Sequence, residues 1–137
     1  VGVYDFGEEK EISIVCEAHS RPCHSIAIPK CSRFSHLASD PLHIFATAAA
    51  DKAVRLWDIR DLSRPQLQFC SHQNSSSSVG ICFSPCAKFV SVGSEDRCVY
   101  IFCTTTGTLF SKLSTPDVPT AIAYHPLDPS VLAVGCS

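Results

Sequence analysis

The stretch Phe45–Asp58 (FATAAADKAVRLWD) constrains this chain more than any other part of it. Two short apolar runs flank the polar pair Asp51-Lys52, which reads as a turn between two strands. Beyond the turn, Val54, Leu56 and Asp58 alternate with Arg55 and Trp57, the period of a strand whose faces meet different surroundings. The pattern recurs. Val1-Gly2-Val3-Tyr4-Asp5 lines up with Val54–Asp58, and Cys98–Cys103 repeats it with Phe102 at the tryptophan position. Tyr4 and Trp57 are 53 residues apart and Trp57 and Phe102 are 45 apart. No segment sustains a helical period, so the fold class is all-β and built from a repeat.

The run at Asp58 closes on Trp-Asp, the dipeptide that marks four-stranded blades repeating every ~40–45 residues. With these residues the chain resembles the WD-repeat (WD40-type) β-propeller family, over essentially its whole length. The longer interval exceeds the family spacing by about the length of the Pro29–His43 link, whose two prolines exclude a central strand. Phe83-Ser84-Pro85 and Tyr124-His125-Pro126 recur after each first strand. Phe83–Leu113 is also similar to C-terminal repeats within the family.

The resemblance implies a partial β-propeller of four-stranded antiparallel blades, two complete and two half. Residues 1–17 are expected to be the third and fourth strands of a split blade, with Glu11–Glu17 as the outer strand and Ile12, Ile14 and Cys16 on one face. Residues 18–70 form a complete blade (strands Cys23–Ile28, Phe45–Ala49, Ala53–Asp58 and Gln66–Cys70). Residues 71–114 form a degenerate one (Val79–Phe83, Phe89–Gly93, Cys98–Cys103 and Thr108–Leu113). Residues 115–137 open a further blade with Pro119–Tyr124 and Val131–Gly135. The serine run Ser75–Ser78 reads as a flexible loop. The lack of methionine and the start at Val1 read as marks of a piece of a longer protein. Known rings need about four to eight blades, and open edges invite another chain. Gly93 precedes Phe102 by nine residues, and the same step from Gly135 lands on Tyr4 of a following copy placed after a gap of three residues. A ring closed by a second copy is therefore one expectation, and closure by remaining blades of the same propeller is the other.

A net charge of -2 gives no basic groove for nucleic acid and no basic patch for a membrane surface. No apolar run reaches the roughly 18 residues of a spanning helix, and no signal pattern opens the chain. The nine cysteines are odd in number and several sit in apolar runs, as Cys82, Cys98 and Cys136 do, which points to reduced thiols in an intracellular, cytoplasmic setting. Asn74-Ser75-Ser76 matches a glycosylation sequon but reads as a polar loop without a secretory signal. Cys16, His19, Cys23 and His24 lie close in sequence, as do Cys82 and Cys86, yet they lack the paired knuckles of a structural zinc site. No metal and no cofactor is expected.

His19, Thr47, Asp51 and Trp57 match the family's structural tetrad, in which linking-loop histidine, second-strand hydroxyl, turn aspartate and third-strand indole bond in one line. The physics supports it: a buried indole N–H needs an acceptor and a buried imidazole needs both nitrogens satisfied. The same hydroxyl, imidazole and carboxylate are the ingredients of a nucleophilic triad. Nothing in the sequence places Thr47 on an exposed elbow, and the repeat accounts for all three residues. The second complete blade keeps His72 and Asp96 as a partial tetrad but has Val92 and Phe102 at the other places, so Phe83, Val90, Val99, Ile101 and Phe102 are its expected core. Alignment with the family places partner contacts at His24, Val79 and Thr120, near the entrance of each innermost strand. Ser84-Pro85 and Thr115-Pro116 are formally phosphorylatable pairs. The function implied is a non-catalytic protein-interaction scaffold, with a propeller-fold enzyme as the rival.

Overall fold

The structure is a computed structural model that describes residues 1–30 and 43–137. Most of the Pro29–His43 link, Cys31 included, lies outside the described residues. Every described element is a strand: β1 (Gly2–Asp5), β2 (Lys10–Ile14), β3 (Cys23–Ala27), β4 (Ile44–Ala49), β5 (Ala53–Asp58), β6 (Leu67–Phe69), β7 (Ile81–Phe83), β8 (Phe89–Ser94), β9 (Cys98–Cys103), β10 (Leu109–Ser114), β11 (Pro119–Tyr124) and β12 (Leu132–Cys136). They form antiparallel sheets in the orders β1-β2, β3-β4-β5-β6, β7-β8-β9-β10 and β11-β12. Two complete blades thus stand between two half-blades.

Alternation along β4 and β5 decides what each face of the first complete blade touches. Phe45 stands opposite Trp57 and Thr47 opposite Arg55, so Phe45, Thr47 and Trp57 share a face. That face meets the half-blade in front: Phe45, Trp57 and Ala18 are buried against Val1, Val3 and Val15. Ala46, Ala48, Val54 and Leu56 point the other way and join Phe83, Val90, Val92, Tyr100 and Phe102 of the second blade in the main core. Phe69 and Phe102 stack there with ring centroids 4.8 Å apart. Of the expected core of the second blade, Phe83, Val90, Val99 and Phe102 are buried, while Ile101 is half-buried.

The second blade meets β11 backbone to backbone. A side chain at Gly93 would place its Cβ 2.2 Å from the Pro119 carbonyl oxygen, and one at Gly80 would stand 2.8 Å from the Ile122 nitrogen. Both positions need glycine for this close approach. Ser91 and Tyr124 hydroxyls, 2.6 Å apart, tie the same seam.

Ile12, Ile14 and Cys16 are all exposed, whereas Val15 packs inward. One expectation needs correction. The run Ser75–Ser78 is not a free loop, because the Ser75 and Ser76 hydroxyls and the Ser76 and Ser77 amides are held by Glu95.

Candidate functional site

The structure brings His19, Thr47, Asp51 and Trp57 into one hydrogen-bonded line. Trp57 Nε1 donates to Thr47 Oγ1 at 2.9 Å, and Thr47 Oγ1 lies 2.7 Å from His19 Nε2. His19 Nδ1 lies 3.1 Å from each Asp51 carboxylate oxygen. An indole N–H can only donate, so the threonine oxygen accepts from it and its own proton goes to His19 Nε2. The histidine then carries its proton on Nδ1, facing Asp51. Asp51 also accepts from the Ser20 backbone N–H at 3.1 Å, which pins the loop entering the blade to the β4–β5 turn. Arg55 completes the lock with bonds to the Ala18 carbonyl and to Asp51.

Burial sets the electrostatics. It pushes the His19 imidazole below its ordinary value, and the nearby Asp51 only partly offsets this. Burial raises the Asp51 carboxyl, but the Ser20 N–H, His19 and Arg55 bring it below the usual carboxylate range. At neutral pH the network therefore holds a neutral imidazole against an ionised aspartate. Hydroxyl, imidazole and carboxylate stand in the order of a nucleophilic triad. However, Thr47 is 0% and Trp57 2% exposed, and the indole occupies a lone pair of the hydroxyl oxygen. No substrate atom can reach that oxygen without opening the sheet.

The second blade uses different atoms. His72 is fully buried, and among the described residues neither of its ring nitrogens has a hydrogen-bond partner. Asp96 instead accepts from the Tyr100 hydroxyl and the Lys112 ammonium, each at 2.8 Å. His72 and Asp96 thus do not form the expected partial tetrad. Val92 in place of a hydroxyl offers the imidazole no polar partner, and the carboxylate that would bond it directly is taken up by Tyr100 and Lys112. The blade's entry loop is held by the neighbour of Asp96. Glu95 accepts from the Ser76 and Ser77 N–H groups at 2.7 Å each and from the Ser75 hydroxyl at 2.9 Å. The Ser77 N–H leads the groups that draw this carboxyl down to about 2. Ser94 adds a bond to the Gln73 N–H at 2.9 Å. Glu95, Ser94 and Asn74 carry no family signature; the only hint is a carboxylate beside a turn and a serine run some twenty residues earlier.

The positions aligned to partner contacts fare unequally. Thr120 is exposed and donates to the Gly135 carbonyl at 3.4 Å. His24 is half-buried, with Nε2 turned in to Asn74 Nδ2 at 2.6 Å. Val79 is 1% exposed and packs in the main core, which removes it as a contact residue. Ser84 is likewise buried, its hydroxyl accepting from the Phe89 N–H, so Ser84-Pro85 is not an accessible pair. Among the described residues no group of three or more His, Cys, Asp or Glu gathers around a possible metal position, and the eight described cysteines are free thiols.

Comparison with known proteins agrees with this geometry. The model of the family described as "WD domain, G-beta repeat" matches residues 10–58 and 63–103, well over half of the chain. The chain belongs to the WD-repeat family. Among its relatives, the "Meiosis-specific APC/C activator protein AMA1" of Saccharomyces cerevisiae is 30% identical over 84 residues, which is 60% of this chain. The match spans 14% of that WD-repeat relative's length. A solved chain in the "Crystal Structure of Mitotic Checkpoint Complex" superposes with a TM-score of 0.79 at 14% identity, over 98% of this chain and 37% of its own. At that identity the likeness shows the fold, a partial WD40 propeller. WD-repeat propellers are in general protein-interaction scaffolds without catalysis. Among the described residues no helix is long and apolar enough to cross a membrane.

Proposed function

We propose that this chain is part of a non-catalytic WD-repeat scaffold that binds another protein in an intracellular, cytoplasmic setting. The observation that carries the reading is the inward use of the polar groups at the loop end of the first blade. Hydroxyl, imidazole and carboxylate there bond to one another and leave no reactive group for a substrate. The yeast relative is named as an APC/C activator and the solved neighbour is a chain of the Mitotic Checkpoint Complex, which supports a protein partner. The proposed contact positions are exposed Thr120 and half-buried His24. The test is co-purification with Thr120→Arg. Specific loss of a discrete protein with unchanged thermal unfolding supports the reading; a partner profile indifferent to substitution at both Thr120 and His24 removes this surface.

A second reading rests on the two-stranded sheets, which leave β1 and β12 each with a free edge among the described residues. Strands from remaining blades of the same propeller, or from a second copy, would complete these blades. Light scattering separates the cases: a concentration-dependent dimer supports the second copy, and a monodisperse monomer rules it out.

A further inference from the structure

Among the described residues, the buried side-chain polar atoms without a hydrogen-bond partner are His24 Nδ1, both ring nitrogens of His72, and Asn74 Oδ1. These residues meet at one seam, where the loop entering the second blade reaches across to the first. Asn74 makes the crossing: its Nδ2 donates to the Ala49 carbonyl at 3.1 Å and lies 2.6 Å from His24 Nε2.

This geometry fixes the protonation state of His24. The Ala49 carbonyl can only accept, so the NH2 end of the amide faces it and the amide cannot be turned round. The same NH2 group meets His24 Nε2, which must therefore accept, and the ring proton sits on Nδ1. A second proton has one place to go, Nε2. There it sets N–H against NH2, and rotating the amide would only set Asn74 Oδ1 against the Ala49 oxygen.

We infer that the Ala49–Asn74–His24 contact is an acid-released latch between the two complete blades, opened by protonation of His24. The charged and titratable neighbours come from both sides. From the first blade, Asp51 favours a charge on His24 and on His72, and His24 in turn disfavours one on His19. Arg55, bonded to Asp51, adds positive charge on the same side. From the second blade, His72 is the titratable group beside His24, and a charge on it is opposed by His24 and favoured by Asp96. Burial dominates, holding both imidazoles below the ordinary histidine value, His72 at about 4. The latch is therefore closed at neutral pH. Glu95, at about 2, stays ionised across the same range and keeps the serine end of the loop in place. Acid thus loosens the Asn74 end while the serine end stays held.

The test is NMR on the whole chain from about pH 7.5 to about pH 4.5. Imidazole nitrogen spectra at the upper pH are expected to show His24 with its proton on Nδ1. On acidification, exchange protection of the Asn74 side-chain amide is expected to fall about tenfold relative to β9 backbone amides. His24→Gln keeps an acceptor but cannot ionise, so its Asn74 protection should be flat with pH. An Nε2-protonated His24 at the upper pH, or flat Asn74 protection in the unaltered chain, overturns the latch. So does an unchanged pH response in His24→Gln. Should that variant fail to fold, the tautomer of the unaltered chain decides.

Discussion

The two complete blades solve one problem with different atoms. Each must hold its entry loop to the turn between its second and third strands. In the first, Asp51 takes the Ser20 N–H and the His19 ring, and the bond chain runs on through Thr47 to Trp57. In the second, the residue aligned with Asp51 turns away to Tyr100 and Lys112, and Glu95 beside it gathers the loop serines. The tetrad face of the first blade sets a line of polar groups beside Phe45 and Trp57 and packs on a half-blade. The equivalent face of the second is apolar and forms the inter-blade core. A hydrogen-bond chain is therefore a cooperative device: without the hydroxyl and the indole, the second blade keeps the histidine and the aspartate but not the bond between them.

The contrast between the blades breaks most visibly at Thr47. Thr47→Val keeps the shape but leaves the Trp57 N–H and His19 Nε2 without partners in a dry site. Chemical denaturation is expected to show a loss of about 2–5 kcal/mol. A loss near zero would mean that the line of bonds contributes nothing to the first blade.

Acid should act next, and through the second blade. An unfolded histidine protonates near 6.5, whereas buried His72 does so at about 4. Between these values the unfolded chain binds the extra proton, so stability present above about pH 6.5 is lost as pH falls towards 4. The loss is on the order of 3 kcal/mol for this group. A His72→Phe variant should flatten that stretch of the stability profile.

Glu95→Gln sharpens the contrast. It removes the charge that strengthens the loop bonds while leaving an acceptor, and should cost about 1–2 kcal/mol. Hydrogen exchange at Ser76 and Ser77 should rise while the Trp57 indole is unaffected. Asp96→Asn should do least. Its partners are an exposed lysine and a tyrosine hydroxyl, and the denaturation midpoint should not move resolvably.

The sequence made the strands legible because alternation and turn residues are local. Ala53–Asp58, Cys98–Cys103 and Pro119–Tyr124 stand as read. The four tetrad residues were legible because each is an unusual type at a fixed place in a repeat. His72 and Asp96 misled for the same reason: residue types match at two places, but Tyr100 and Lys112 take the carboxylate that would have met the imidazole. Val79 misled because alignment marks a position along a strand, whereas packing against a neighbouring blade decides exposure. The role of Glu95 depends on the path of a loop twenty residues away, which no local pattern encodes.

The claim that the first blade is locked by a buried line of bonds is tested most directly by hydrogen exchange at the Trp57 indole N–H. Exchange is expected only through global unfolding, at the rate of the slowest β5 backbone amides. An indole proton that exchanges like that of a solvent-exposed tryptophan would contradict the lock.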